Sequence, residues 1–195
     1  MQGKLWRRLW HVGGGALIAV LALFMSKVTL LILLAIAAAI LVTWEIARFI
    51  SPSARQWTNS HLGGMLKKDE GFRFTGSTYL LLSSLVVLSS FEKYVAITSV
   101  LFVSIGDFAA QVVGEKYGSL RLSGKSLEGS LACLLSCILI GIGMTRVNPI
   151  LSLSTAAAGA TAAAVVEFLP VPLDDNLTIP LISAGVMTVT AQYIG

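Results

Sequence analysis

Charge is the scarcest commodity in this chain. Only 12% of its 195 residues are Asp, Glu, Lys or Arg, where a soluble domain carries about a quarter. With 55% hydrophobic residues, most of the sequence has no water-facing side to offer. Cysteine is nearly absent: Cys133 and Cys137 are the only two. A pair four residues apart inside an apolar run makes neither a disulfide framework nor a metal site, which needs more ligands. Both read as small packing residues. Nucleotide signatures of the ordinary kind are missing too. No GxxxxGK[ST] and no GxGxxG occur, which excludes an ordinary P-loop and a dinucleotide fold. The basic start is followed by HVGGGALIAVLALFMSKVTLL without a clear small-residue cleavage site, so this segment is expected to be retained rather than removed as a signal peptide.

What the chain does have is long apolar runs. A membrane-crossing helix needs roughly 20 predominantly apolar residues, and seven candidate spans satisfy or approach that length: 11–26, 29–50, 76–91, 94–113, 128–145, 148–168 and 177–194. No linker is long enough to separate one domain from another. The expectation is an all-α, polytopic membrane bundle of about seven transmembrane helices, forming a single catalytic domain over 1–195. The sixth span, STAAAGATAAAVV, is rich in the small residues that permit close helix contacts.

Basic residues orient such a bundle. If the connections alternate sides, the N-terminal side collects Lys4, Arg7, Arg8, Arg48, Arg55, Lys67, Lys68, Arg73, Lys116, Arg121 and Lys125. The other side has only Lys27, Lys93 and Arg146. The N-terminus is therefore predicted in the cytoplasm. Connections on that side are also the longer ones. Trp6, Trp10 and Trp57 suit interfacial anchoring, as does His11 at a span boundary.

Acidic residues gather at the same end. Glu45, Asp107 and Glu167 lie near the inner ends of three spans, and Asp174, Asp175 and Asn176 occupy the last inner loop. An ionisable group inside a span costs about 2.5–3.5 kcal/mol even on lenient insertion scales, so it faces a pocket or a partner. Arg48, three residues after Glu45, is placed to pair with it. Asp107 also opens the stretch GDFAAQVVGEKYGSLRLSGKSLEGS, in which Gln111 and Gly114 follow on the same helical face. Beyond them, Gly114, Gly118, Gly124 and Gly129 bracket Lys116, Arg121 and Lys125. Ser126, ahead of Leu127 and Glu128, is positioned to cap the fifth span and turn its positive end to an anion. Carboxylates beside glycines and lysines suit a polyphosphate carrying a hard divalent ion. The bland alternative is a helix followed by a basic loop that merely obeys the positive-inside rule.

The residues Gly106-Asp107, Ala110, Gly114, Tyr117-Gly118 and Lys125-Ser126-Leu127-Glu128-Gly129-Ser130 resemble the signature of the CTP-dependent lipid-alcohol kinases. That family includes dolichol kinase, phytol kinase and CTP-using diacylglycerol kinase. Further matches are RRLWH at 7–11, Glu45 with Arg48, RFTGSTY at 73–79 and VVEFLPVPLDDNLTIPL at 165–181. The resemblance implies transfer of the γ-phosphate of CTP to the hydroxyl of a membrane lipid alcohol of the polyprenol, dolichol or phytol type. It implies Mg²⁺ held by Asp107 with Asp174, Asp175 and Asn176. Phosphate would be met by Gly114, Lys116, Gly118, Arg121, Lys125, Ser126, Glu128, Gly129 and Arg73. Asp107, Glu45 and Glu167 are the catalytic candidates, and spacing alone does not choose a general base among Glu45, Glu167 and the Asp174–Asp175 pair. No nucleic-acid partner is implied, and oligomeric state is open. Two other readings stay in play: a CTP:lipid-phosphate cytidylyltransferase, and a non-enzymatic transporter or scaffold. The more distant CDP-diacylglycerol synthases share a D…G…G…K…EG arrangement, but this chain runs Asp174-Asp175-Asn176 into Leu-Thr-Ile-Pro, which favours the kinase branch.

Overall fold

The structure is a computed structural model that describes residues 2–63, 73–148 and 151–194. Lys67 and Lys68, counted above among the basic groups, lie outside the described residues. The described residues are all-α apart from one small hairpin. Its elements are α1 (Gln2–Phe24), α2 (Lys27–Ile50), α3 (Pro52–Leu62), α4 (Gly76–Ser90), α5 (Lys93–Leu101), a π-helical turn (Phe102–Gly106), α6 (Asp107–Tyr117), β1 (Arg121–Leu122), β2 (Lys125–Ser126), α7 (Leu127–Val147), α8 (Leu153–Phe168) and α9 (Asp175–Ile194).

Among the described residues, four helical stretches are long and apolar enough to cross a membrane: Trp6–Phe24, Lys27–Ile50, Lys93–Tyr117 and Leu127–Val147. Gly76–Ser90 and Leu153–Phe168 are apolar but shorter. The α2 helix shows how the chain divides its two solvents. Leu30, Leu34, Ala38, Glu45 and Arg48 form a buried stripe, while Val28, Ile32, Ile36 and Ile40 are more than half exposed on the opposite face. An apolar outer face paired with an inward-facing Glu and Arg inverts the arrangement of a water-soluble helix, and lipid is the solvent that permits it.

Small residues bring the later helices together. The α8 helix packs between α7 and α9, with Ala156, Gly159, Ala160 and Ala163 buried. A Cβ at Gly141 would stand 2.9 Å from that of Ala156, and one at Gly159 would overlap Met187. Gly106 is crowded in the same way: a Cβ there would stand 2.6 Å from Cys137 Sγ and 3.0 Å from Cys133 Sγ. The two cysteines are free and buried at this contact. On α1 the tight point is Gly15, where a Cβ would overlap the Ser104 hydroxyl. Gly15→Ala is therefore expected to destabilise the protein by about 1–3 kcal/mol through overpacking, read as a lower unfolding temperature in detergent.

Two local features could not be read from apolar runs alone. The connection after α2 contains α3, started by Pro52 in its first turn and by the Ser51 hydroxyl, which accepts from Ala54 N at 3.4 Å; both are standard helix-start devices. Between α6 and α7 the strands pair antiparallel, Arg121 with Ser126 and Leu122 with Lys125. Their two-residue turn has φ +48° at Ser123 and +93° at Gly124, the paired positive values of a type I′ hairpin.

Candidate active site

Helix starts assemble one end of the bundle. Glu45 reaches from α2 to the start of α4, where its carboxylate accepts from Thr75 N at 3.1 Å, the Thr75 hydroxyl at 2.6 Å and the Thr78 hydroxyl at 2.9 Å. One turn further along α2, Arg48 donates from Nη2 to the Arg73 carbonyl at 2.9 Å. Glu45 and Arg48 are 2% and 1% exposed, so both charges are held inside the protein. Together they clamp the Arg73–Thr78 entry to α4.

The start of α9 is fixed from another direction. Pro180 lacks an N–H, so the Asn176 carbonyl four residues earlier loses its helical donor. Ser83 of α4 supplies one instead, at 2.6 Å. Asp174 Oδ1 accepts from the backbone N of Asn176 at 3.0 Å and from its amide at 2.6 Å. Gly76 lets the two helices approach, because a Cβ there would come 2.7 Å from Asn176 Nδ2.

A polar cleft of about 90 Å³ opens where these elements converge. Its walls are Arg7, Arg8 and His11 of α1, Thr75–Ser77 at the start of α4, Asp107, Phe108 and Gln111 of α6, and Asp174–Asn176 at the start of α9. Asp107 is 5% exposed and accepts from Gln111 Nε2 at 2.7 Å. Gln111 in turn accepts from Arg8 Nε at 3.1 Å, and Arg8 pairs with Glu115 at 2.7 Å. Lys125, from β2, reaches the edge of the cleft through a 2.7 Å ion pair with Asp175. Three carboxylates, two arginines and the positive ends of α4 and α9 thus share one small volume.

The donor set fits a hard cation that brings its own ligands. Asp107, Asp174, Asp175 and Asn176 offer oxygen, and Asn176 Oδ1 is buried without a hydrogen-bonding protein partner. Among the described residues no three His, Cys, Asp or Glu side chains gather closely enough to cage a metal by themselves. Mg²⁺ is commonly held by one or two carboxylates with phosphate oxygens and water completing the shell, which matches this sparse arrangement.

A second, larger cavity adjoins the first. It measures about 1020 Å³ and runs between α1, α2 and α4, along Leu9, Leu17, Leu21, Leu30, Leu34, Leu80 and Leu81. Trp6, Trp10, His61 and Leu62 also line it. His11 and Ser77 belong to both walls, the cleft's and the groove's.

Over 160 residues, 73% of this chain and 72% of the relative, the sequence is 30% identical to a Schizosaccharomyces pombe protein named CTP-dependent diacylglycerol kinase 1. The chain belongs to the CTP-dependent lipid kinase family. It is also 31% identical, over 58% of its length and 42% of the relative's, to a probable chloroplastic phytol kinase 1 of Glycine max. A protein of Rickettsia prowazekii without an assigned function is 28% identical over 90% of this chain. No protein-family model and no solved structure matches the chain.

Within this member of the family the residues singled out from sequence separate into two groups. Asp107, Asp174, Asp175 and Asn176 line the cleft, and Lys125 is tied to it through Asp175. The others do different work. Glu45 fixes the α4 entry, as described, and is not among the cleft-lining residues. Glu167 accepts a short hydrogen bond from the Ser130 hydroxyl, joining α8 to the first turn of α7. Ser126 caps α7, accepting from Gly129 N at 3.1 Å. Gly114, Gly118 and Gly129 crowd around that same residue. A Cβ on either of the first two would come 2.7 Å from Ser126 Oγ, and one on Gly129 would come 2.7 Å from the Ala110 carbonyl. These glycines have a packing reason that requires no phosphate. Glu128 accepts from Ser119 and Leu120 and closes their loop. Arg121 donates to the Gly114 carbonyl at 2.8 Å, satisfying the end of α6. Lys116 lies over the Tyr117 ring at 5.0 Å, and Arg73 is exposed. Neither lines the cleft.

Arg7, Arg8, His11, Ser77 and Gln111 are among the cleft residues to which sequence reading assigned no catalytic role. The RRLWH and RFTGSTY matches contained four of them. Spacing alone gave no sign that α1 and α4 meet at Asp107.

Proposed function

We propose that this protein transfers the γ-phosphoryl group of CTP to the hydroxyl of a membrane lipid alcohol, releasing CDP and a lipid monophosphate. The observation that carries the reading is the shared wall at His11 and Ser77, where a polar, carboxylate-lined cleft meets an apolar groove of lipid size. A triphosphate suits the first and a hydrocarbon chain the second. The family membership supports the same pairing, since relatives are named for CTP, diacylglycerol and phytol. A polyprenol, dolichol or phytol-like alcohol presents the same hydroxyl.

In this reading the triphosphate enters the cleft with Mg²⁺, which would be held by Asp107 and by Asp174 or Asp175, aided by Asn176. The ion would neutralise charge on the phosphate oxygens. Arg7, Arg8 and Lys125 add fixed positive charge, and the starts of α4 and α9 aim backbone N–H groups at the same space. Catalysis of phosphoryl transfer is almost entirely positioning and charge stabilisation. The lipid oxygen bonds to the γ-phosphorus as the bond to the β,γ-bridging oxygen breaks, and the hydroxyl proton passes to a cleft carboxylate. Glu45 and Glu167 act at one remove, by holding the α4 entry and the α7 start in place. In this reading the bundle has seven spans, the shorter apolar helices included, and the cleft opens on the cytoplasmic face, where CTP is available.

The test uses purified protein, Mg²⁺, lipid alcohols and CTP labelled at either the α or the γ phosphate. Label is expected to move to lipid from the γ position only. Transfer from the α position would establish a cytidylyltransferase instead, and transfer from neither would remove the enzymatic reading.

A further inference from the structure

Three consecutive glycines, Gly13, Gly14 and Gly15, occupy a single turn of α1. Glycine is the poorest helix former after proline, so each needs a reason. Gly15 has one in its contact with Ser104. Gly13 and Gly14 do not: a Cβ at either would meet no heavy atom within 4 Å. Backbone conformation is no reason either, because among the described residues only Gly124 is a glycine of positive φ.

What Gly13 and Gly14 share is the groove, whose wall they form. They follow His11, the junction residue, by two and three positions, about 3–4.5 Å of helix rise. Elsewhere on this wall α1 carries the bulk of Leu9, Trp10, Leu17 and Leu21. Bulk is removed only beside the junction, where the carbons nearest a reacting hydroxyl would lie.

We propose that Gly13 and Gly14 are specificity-determining residues that set the width of the groove at its hydroxyl end, admitting an alcohol that branches within a few bonds of its oxygen. This rests on the groove being the acceptor site. The geometry differs from a packing motif in a testable way, because the glycines face open space rather than another helix.

The experiment measures kcat/KM by γ-label transfer from CTP to a straight-chain (linear) primary alkanol, a prenyl alcohol, a 1-monoacylglycerol and a 1,2-diacylglycerol. Wild type is compared with Gly13→Ala, Gly14→Ala and Gly14→Leu. The alanine variants are expected to fold with unfolding temperatures at or above wild type. Gly14→Leu is expected to lower kcat/KM for the diacylglycerol, relative to the narrowest accepted alcohol, by about tenfold or more, with the KM for CTP unchanged. Equal loss on every accepted lipid overturns the inference, as does a wild type that takes only the linear alcohol. Unfolding of the alanine variants, or an altered oligomeric state of Gly14→Leu with unchanged lipid preference, would reassign the glycines to helix contacts and overturn it as well. A wild type that phosphorylates none of the four lipids refutes the kinase reading itself, a result distinct from all of these.

Discussion

Asp107→Asn is expected to lower γ-phosphoryl transfer by about two to three orders of magnitude, the scale of losing one preorganised electrostatic contact to the reacting group, while leaving the protein folded. Asparagine has the same shape and retains a carbonyl oxygen for Gln111 Nε2, which donates to Asp107 at 2.7 Å. The Arg8–Gln111 bond need not change. The negative charge that would hold the nucleotide's metal is what disappears. The measurement is turnover across a Mg²⁺ titration, alongside thermal unfolding of both proteins. Full activity in a folded Asp107→Asn would remove Asp107 from the metal role and shift attention to Asp174 and Asp175.

Glu45 separates a positioning residue from a catalytic base. Glu45→Ala leaves the Thr75 N–H and the Thr75 and Thr78 hydroxyls without their acceptor, and removes a negative charge three residues from Arg48, which is 1% exposed. Deleting one side of a buried charged arrangement costs about 3–5 kcal/mol, so extensive loss of folded protein is expected in detergent. Glu45→Gln keeps an oxygen for the threonines. It is expected to retain activity per folded molecule within a few-fold, with reduced stability. A fully stable Glu45→Gln that has lost activity by orders of magnitude would instead make Glu45 the base.

Much of the fold was legible because apolar runs mark helices in lipid as surely as they do in a core. The runs around 29–50, 94–113 and 128–145 correspond to α2, to α5 through α6, and to α7. Local chemistry was legible too: Asp107 and Gln111, four apart, do bond, and Ser126 does cap α7. Hydropathy gives no signal for an amphipathic piece such as α3, or for a four-residue pairing such as β1–β2. The glycines after Asp107 look alike in a string, yet Gly124 supplies a turn while Gly114, Gly118 and Gly129 make room around Ser126. Which lysines and arginines face the cleft depends on where the α1 and α9 starts land in space. Positive-inside counting cannot resolve that, because it assigns every base to a side and none to a site.

Among the described residues, the two cavities share only His11 and Ser77. For a reaction between a water-soluble donor and a bilayer-soluble acceptor, such a junction separates the traffic. Neither reactant has to cross the other's compartment to arrive, and neither product has to cross it to leave. Binding order is then unconstrained by access. Under the proposed reaction, enrichment of lipid in the membrane and of nucleotide in the water would each set the occupancy of one half-site, independently of the other.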